Sequence, residues 1–286
     1  MSTGGATAIF VGRSTLDIVY ACDRLPEADG KIDARKSYLT GGGPALNAAV
    51  AFADLGGRAR LCSALGQGPM ADWVRGEIAG HGVELVDAAE GERDVLPVSS
   101  VIVTGEARAI VNQPLPSGDQ GLDGDLIDRL FDLPPAVVLS DGHLPGLAMP
   151  VLRRARQAGV PTVLDGGSWK PWTADLLSWI DIAIVSSRFR PPPANGVSDP
   201  LELLRRSIAV VAMTDGPRPI RWSAGDASGE VHPPAVEAVD TLGAGDVFHG
   251  AFCHALASGV DFSASLAAAA ELASQACTRW GPRLNA

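Results

Sequence analysis

Short apolar runs and helix-like segments alternate along most of the chain. The apolar runs predict strands at residues 6–12, 58–64, 136–140, 160–164, 180–185 and 208–213. The segments between and after them predict helices at 45–55, 69–79, 147–158, 244–258 and 262–278. Several of these segments have a proline at the start or a glycine at the end, as helices often do. Apolar strands that alternate with helices are typical of a sheet covered on both faces. The pattern therefore predicts an α/β fold, with residues 1–286 in a single domain.

Two stretches do not fit such a core. Residues 13–40 and 97–112 contain segments in which polar and apolar positions alternate, which is typical of strands with one exposed face. We expect them to form a small β layer that stands off the main sheet as a lid over a site. Residues 187–200 are rich in proline and polar residues, and their composition predicts a loop.

Charge and composition exclude some classes of function. The formal net charge is −10 and no stretch carries a basic stripe, which argues against a nucleic-acid-binding role. No apolar run approaches the ~18 residues of a membrane span, and the four cysteines are scattered without a C-x-x-C pair. These features predict a cytoplasmic protein without a nucleic-acid or membrane partner.

The segment Asp240-Thr-Leu-Gly-Ala-Gly-Asp246 carries the strongest chemical signal. Gly243, Ala244 and Gly245 precede an apolar helix, so their N–H groups predict an anion site at its N-terminus. Asp246 then suits a base that deprotonates a hydroxyl beside an incoming phosphoryl group. The structural alternative is a first-turn helix acid next to glycines that only shape a turn, but the full segment is more specific than that.

The same segment resembles the C-terminal signature of the ribokinase-like, or PfkB-type, carbohydrate kinases. Far upstream, Gly42-Gly43-Pro-Ala-Leu-Asn47 resembles that family's sugar-binding signature G-G-x-x-x-N. The resemblance implies a ribokinase-like α/β/α sandwich with a mostly parallel central sheet and a small β-sheet lid, which often contributes to a homodimer. It also implies an enzyme that transfers phosphate from ATP to a sugar hydroxyl. Within the family, the chain looks most like ketohexokinase and sulfofructose kinase.

The resemblance also implies roles for individual residues. The sugar would contact the backbone of Gly42 and Gly43, the amide of Asn47 and the carboxylate of Asp17. Weaker candidates at lid and sheet-edge positions are Lys31, Asn112 and His143. On the nucleotide side, the candidates are Thr214, Gly216 and Thr241.

One family feature is absent from the sequence. Many members carry N-x-x-E after the strand that corresponds to residues 180–185, where it organises Mg²⁺ through water, but this chain has Ser186-Ser187-Arg188. We still expect Mg²⁺ with ATP, because Mg²⁺ retains several waters and needs few protein ligands. Asp165 is a hypothetical substitute for the missing acid. A monovalent cation near residues 277–281 is a further possibility that the resemblance raises.

Two alternatives stay open at this point. Gly66-Gln-Gly68-Pro-Met-Ala71, with Asp87 further on, fits the G-x-G-x-x-A pattern of an NAD-dependent dehydrogenase. However, Pro69 removes an N–H that a pyrophosphate would need. A degenerate sensor that binds a sugar or nucleoside without phosphorylating it would explain the lost N-x-x-E. The intact Asp246 argues against the sensor, which has no need of a base.

Overall fold

The structure of the protein is a computed structural model that describes residues 5–104, 108–114, 121–194 and 196–284. In these residues the strands are β1 (Thr7–Val11), β2 (Thr15–Ala21), β3 (Lys36–Gly42), β4 (Arg58–Ser63), β5 (Glu84–Asp87), β6 (Val98–Val103), β7 (Arg108–Asn112), β8 (Val137–Ser140), β9 (Thr162–Gly166), β10 (Ile182–Ser186), β11 (Val210–Asp215), β12 (Arg218–Ala224) and β13 (Ala227–Val231). The helices are α1 (Pro44–Asp54), α2 (Pro69–Gly80), α3 (Gly124–Phe131), α4 (Pro145–Gln157), α5 (Thr173–Leu177), α6 (Pro200–Leu204), α7 (Ala244–Ala257) and α8 (Phe262–Ala276).

Nine strands form the main sheet, in the order β13-β12-β11-β10-β9-β8-β1-β4-β5. The strands from β11 to β5 pair in parallel, and β12 and β13 extend the sheet as an antiparallel hairpin. Side chains of β1 alternate between two cores, with Phe10 in one and Ile9 and Val11 in the other. Helices α1, α2, α7 and α8 supply the first core, and α3, α4 and α5 contribute to the second. The expectation of an α/β/α sandwich is therefore confirmed.

The parallel strands bring several polar residues to one edge of the sheet. Because β1, β8, β9, β10 and β11 run in the same direction, their carboxyl ends meet there, as in other open α/β sheets that bind ligands at this edge. Asp141 follows β8, Asp165 lies near the end of β9, and Thr214 of β11 pairs with Ser186 of β10.

A second sheet of four strands stands apart, in the order β3-β2-β6-β7. It occupies the segments in which alternation predicted a small β layer, although residues 105–107 lie outside the described ones. Successive side chains of a strand point to opposite faces, and the register places one polar set together on the inner face: Asp17, Tyr38, Thr40, Ser99 and Asn112. The outer face is largely apolar but includes two serines: Ile18, Tyr20, Ser37, Leu39, Ser100, Ile102 and Val111.

Some elements were not predicted from the pattern. Helix α3, strand β5 and the β12–β13 hairpin were not predicted, and the loop expected at 187–200 ends in the first residue of α6. The hairpin strands are only partly buried, so their apolar pattern is weak. Among the described helices, none is both long enough and apolar enough to cross a membrane.

Candidate active site

Close packing of α1 against α7 brings the two signature segments together. A Cβ atom at Gly250 of α7 would lie 2.3 Å from the carbonyl oxygen of Ala48 in α1, so only glycine permits this approach. One turn before Gly250 on α7 lies Asp246, and one residue before Ala48 on α1 lies Asn47. The Asn47 Nδ2 donates a hydrogen bond of 2.7 Å to Asp246 Oδ2. The structure thus joins the two residues on which the resemblance most depends.

The N-terminus of α7 is built for an anion. Its N-cap, Gly243, has a φ of 73°, a left-handed conformation that favours glycine, and no side chain caps the helix. Unpaired N–H groups and the helix dipole both attract negative charge at such a terminus. Asp240 holds the segment in place by accepting hydrogen bonds from the N–H groups of Leu242 and Gly281, at 2.8 and 3.1 Å, and from Tyr38 Oη at 3.2 Å.

Three carboxylates crowd the carboxyl edge of the sheet near this helix. Burial, followed by repulsion from Asp165, raises the pKa of Asp246, and the Asn47 hydrogen bond opposes that rise. Burial and repulsion from Asp141 raise the pKa of Asp165. Asp141 differs: burial favours its neutral form, but His143 and the N–H groups of His143 and Arg13 lower its pKa overall. Asp141 is therefore the member of the group that stays ionised most readily.

Asp17, which the sequence predicts to bind the sugar, lies beside the predicted glycines. Its Oδ1 accepts a hydrogen bond of 2.6 Å from Thr15 Oγ1, and burial raises the pKa of the carboxyl group. A Cβ atom at Gly42 would lie 2.1 Å from Asp17 Oδ2, and Gly43 has a φ of 95°. Glycine at 42 is thus required by the neighbouring carboxylate, a reason the sequence did not reveal.

The weaker sugar candidates lie in different surroundings. His143 is partly buried, its N–H donates to Asp141 Oδ1 at 2.9 Å, and its Nδ1 lies 3.5 Å from the same oxygen. Asn112 is exposed on the inner side of the lid sheet, where it pairs with Ser99. Lys31 is exposed in the loop between β2 and β3. Their roles as sugar ligands stay predictions.

The nucleotide candidates lie at a more open part of the molecule. Thr214 is partly exposed at the end of β11, where its carbonyl oxygen accepts a hydrogen bond of 2.8 Å from the Ser187 N–H. Gly216 is exposed with a φ of 58°, as the turn into β12 requires. Thr241 is exposed just before α7. These positions are compatible with a nucleotide on the sheet edge, and their roles stay predictions as well.

Several residues of the site were missed by sequence reasoning. Arg283 lies 6% exposed in the C-terminal segment and contacts Asn47, and Arg13 lies close enough to Asp17 and Asp141 to interact with both charges. Asp141 could have been found, because an acid directly after a buried strand belongs to the ligand-binding edge of such a sheet. The sequence gives no local signal for Arg283, which follows an ordinary helix end.

The donor set for a metal is sparse. Within the described ranges, no three His, Cys, Asp or Glu side chains cluster as a metal site. Asp165 Oδ2 lies 3.4 Å from Nδ1 of His249, a buried histidine that also contacts the Gly245 carbonyl oxygen at 2.8 Å. Asp165 as a magnesium ligand remains a hypothesis. So few oxygen ligands are better suited to a Mg²⁺ ion that arrives bound to phosphate than to one held permanently by protein side chains.

In the glycine-containing loop that resembles a dehydrogenase motif, backbone N–H groups are already bonded to a carboxylate of the protein. Asp87 accepts hydrogen bonds from the N–H groups of Leu65 and Gly66 at 2.9 and 3.1 Å, and it pairs with Arg75 at 2.8 Å. A cofactor pyrophosphate would have to compete with this buried carboxylate for the same amides. The glycine pattern at 66–71 therefore has a structural explanation.

Comparisons with known proteins agree with this geometry. The family model described as "pfkB family carbohydrate kinase" matches residues 6–188 and 190–286. A protein of Halopiger xanaduensis named ATP-dependent ribose-1-phosphate kinase is 27% identical over 84% of this chain and 81% of its own length. The ribokinase of Bacillus subtilis is 25% identical over 95% of this chain and 92% of its own length.

Solved structures show the same fold. A solved structure of a putative ribokinase from Agrobacterium tumefaciens superimposes with a TM-score of 0.83 and 28% identity, and the match covers 97% of this chain and 93% of that one. The ribokinase of Arabidopsis thaliana, solved with ribose and ATP, gives a TM-score of 0.76 at 22% identity over 98% and 95% of the two chains.

The fold and the paired signatures define an ATP-dependent sugar kinase. The chain belongs to the pfkB family of carbohydrate kinases, because the family model matches nearly all of it. The dehydrogenase alternative is wrong, since this family accounts for the whole sheet and both signatures. The particular likeness to ketohexokinase finds no specific support, because the relatives above carry ribokinase and ribose-1-phosphate kinase names.

Proposed function

We propose that this protein transfers the γ-phosphate of ATP to a hydroxyl group of a sugar, with Asp246 as the general base. The observation that carries the proposal is the position of Asp246 in the first turn of an uncapped helix, fixed by Asn47 at 2.7 Å. A carboxylate beside a ready anion site is the arrangement that phosphoryl transfer to a hydroxyl requires.

Different residues would act on the sugar hydroxyl and on the transferred phosphoryl group. The sugar hydroxyl would donate its proton to Asp246 as its oxygen attacks the γ-phosphorus, and the bond from that phosphorus to the β–γ bridging oxygen would break to release ADP. The N–H groups at Gly243, Ala244 and Gly245 would face the charge that develops on the transferred group. Burial and the nearby Asp165 raise the pKa of Asp246 and make its carboxylate a stronger base than an exposed one.

The sugar would lie between the lid and α1. Asp17 offers a carboxylate for a pair of hydroxyls, and Asn47 retains one N–H beyond the one it donates to Asp246. Asn112 occupies the inner side of the lid, from which it could reach the same ligand. The names of the relatives favour ribose or a ribose phosphate over the ketohexose that the sequence suggested.

ATP would enter along the carboxyl edge, with Thr214, Gly216 and Thr241 beside it. Mg²⁺ bound to the triphosphate would neutralise charge on the β- and γ-phosphates. Asp165 and Asp246 are the nearby carboxylates that could contact its water shell. Titration of activity against Mg²⁺ for Asp165→Asn tests the metal role, and an unchanged dependence would reject it. A monovalent cation near 277–281 stays a prediction, tested by comparing activity in K⁺ and Na⁺.

The deciding experiment measures ADP release across a panel that contains ribose, ribose 1-phosphate, fructose and other ketohexoses, and nucleosides. We expect turnover with at least one sugar, and Asp246→Asn should lower kcat roughly 10²- to 10⁴-fold while ATP still binds. Nearly full activity in Asp246→Asn would reject the base. Tight binding of one ligand without turnover of any would favour the sensor instead.

The lid also suggests a homodimer. Its outer face exposes large apolar side chains, with Leu39 49% and Val111 73% accessible. Exposed large apolar side chains gathered on one sheet face are typical of a surface that another protein covers, and we propose that a second copy of the chain does so. Sedimentation velocity over a range of concentrations tests it, and a monomer throughout would contradict the proposal.

A further inference from the structure

The C-terminal segment enters the active site and is held there at three points. The Gly281 N–H donates to Asp240, and Pro282 lies so close to Gly243 that a Cβ atom there would come within 2.3 Å of it. Leu284 packs against Val247 of α7 in a small apolar cluster. These contacts fix the position of the residue between them, Arg283.

The guanidinium group of Arg283 is buried and bonded on all sides. Nη2 donates to Glu77 Oε1 at 2.7 Å, to the Gly41 carbonyl oxygen at 2.7 Å and to Thr40 Oγ1 at 3.1 Å. Nη1 donates to Asn47 Oδ1 at 2.6 Å. Arg283 therefore has little capacity left for a substrate, and its one contact toward the catalytic centre is with Asn47.

The contact determines which way the Asn47 amide faces. A guanidinium only donates, so it selects the oxygen of the amide and turns the Nδ2 group in the opposite direction. The Nδ2 group then meets Asp246 Oδ2 at 2.7 Å. A flipped amide would place an N–H against the cation and an oxygen against the carboxylate, and both contacts would be repulsive.

We propose that Arg283 is a positioning residue that holds the Asn47 amide in the orientation in which it fixes Asp246 for proton transfer. With Oδ2 held by Asn47, Oδ1 is the oxygen of Asp246 that takes the proton of the sugar hydroxyl. The proposal rests on the proposed role of Asp246 as the base. It adds a residue from the far end of the chain to the machinery without giving it a contact to either substrate.

The charges around Asp246 determine what the test should show. Asp165 from β9 and Asp141 after β8 repel its negative charge, whereas His249 on α7 and Arg108 on β7 favour it. The Asn47 N–H also favours the ionised form. Loss of the Arg283 contact frees this N–H to turn away, so the carboxyl group should become harder to ionise.

The test compares Arg283→Gln with the wild-type protein by the pH dependence of kcat for the sugar found in the panel. We expect kcat at pH 6 to fall roughly 3- to 10-fold, the acid limb to move to higher pH, and much of the loss to be recovered at pH 9. The KM for ATP should not change. A variant with a lower Tm but an unmoved acid limb would overturn the proposal.

Glu77→Gln is the matched control. It removes the ion-pair partner of Arg283 at 2.7 Å but leaves the Asn47 contact in place. We expect a lower Tm with no upward movement of the acid limb, because the cation and its hydrogen bond to Asn47 persist. An upward movement equal to that of Arg283→Gln would mean that general loosening, not amide orientation, explains the effect.

A second readout separates this proposal from the proposed function. Titration of the Asp246 carboxyl carbon by NMR in the ligand-free protein, assigned with Asp246→Asn, should give a pKa about 0.5 to 1 unit higher in Arg283→Gln. If no sugar is phosphorylated, the proposed function fails, yet this titration still decides the positioning role. Should Arg283→Gln not fold, Arg283→Lys, which keeps the charge with a single donor group, is expected to show a smaller upward shift, and no shift would reject the role.

Discussion

The two ends of the site differ in how firmly the chain fixes them. At the end where we propose that the sugar binds, a continuous set of hydrogen bonds joins Glu77, Arg283, Asn47 and Asp246, and its two central members, Arg283 and Asn47, are buried. At the end where we propose that the nucleotide binds, Thr214 and Gly216 lie on a partly open sheet edge beside a proline-rich loop. Buried polar groups need fixed partners, whereas exposed ones can bond to water.

The stricter fixing of side chains at one end of the site agrees with what a kinase requires there. The base and the sugar hydroxyl must meet within hydrogen-bond distance, and an error of about 1 Å there is costly. ATP is large and charged, and it brings many contacts of its own, so its site can be assembled when the nucleotide binds. The protein thus places its internal contacts where we propose that the proton is transferred.

The largest expected effect comes from separating α1 and α7. Gly250→Ala would place a methyl group 2.3 Å from the backbone oxygen of Ala48, and we expect it to lower the free energy of unfolding by about 3 kcal/mol. It should also lower kcat, because the distance between Asn47 and Asp246 depends on this contact. Urea unfolding and the ADP-release assay measure the two effects.

Gly76→Ala in α2 is the control for that change. Gly76 is also inside a helix, but nothing lies within 4 Å of an added Cβ atom. Alanine there should stabilise the protein by about 0.5 to 1 kcal/mol through helix propensity alone. Similar losses in both variants would show that the α1–α7 contact is less strict than the structure indicates.

The next largest expected effect is the change in the free energy of unfolding when a carboxylate of the site is made neutral. Asp246 has a raised pKa, so its contribution to stability is full below the ordinary carboxyl pKa of about 4 and is lost as pH rises through the folded value. Asp246→Asn should therefore be more stable than the wild type by about 1 to 2 kcal/mol at pH 8, with the difference vanishing near pH 4. Urea unfolding at a series of pH values measures it.

Asp141→Asn should behave in the opposite way. The pKa of Asp141 is lowered by His143 and backbone N–H donors against the effect of burial, so its contribution to stability is present above the ordinary pKa and lost as pH falls through the folded value. The variant should be less stable than the wild type at pH 8. A gain in stability for both variants would contradict the distinction between the two carboxylates.

The sequence was a good guide wherever the signal was local. The helices α1 and α7 begin within a residue of their predicted starts, because proline and glycine mark the start of each. The small second sheet was also predicted, since alternation with period two is visible within one strand. The segment from Asp240 to Asp246 carries its own turn and its own acid, so its chemistry could be interpreted without the fold.

The contacts between distant parts of the chain could not be predicted in this way. Arg283 meets Asn47 across 236 positions, and its environment depends on the packing of α1, α2, β3 and the C-terminal segment at once. Gly42 was expected to leave room for a sugar, but in the structure it leaves room for Asp17 from the neighbouring strand. Only the assembled fold brings these atoms within reach of one another.

The smallest expected effects come from a threonine-to-valine substitution made once at each end of the site. Thr214→Val at the nucleotide end removes a partly exposed hydroxyl without changing the shape of the side chain, and we expect only the KM for ATP to rise, about 3- to 10-fold by the loss of one hydrogen bond. Tm, kcat and the KM for the sugar should stay as in the wild type. Steady-state kinetics with each substrate varied in turn measures the change.

Thr15→Val makes the matching change at the sugar end. Thr15 is buried, and its Oγ1 donates a hydrogen bond of 2.6 Å to Asp17, so valine leaves a buried carboxylate oxygen without that partner. The KM for the sugar should rise more than the KM for ATP, and the free energy of unfolding should fall by about 1 kcal/mol or more. If each substitution raised the KM for ATP and the KM for the sugar by the same factor, the comparison would fail. A hydroxyl group at one end of the site would then influence the binding of the substrate at the other end.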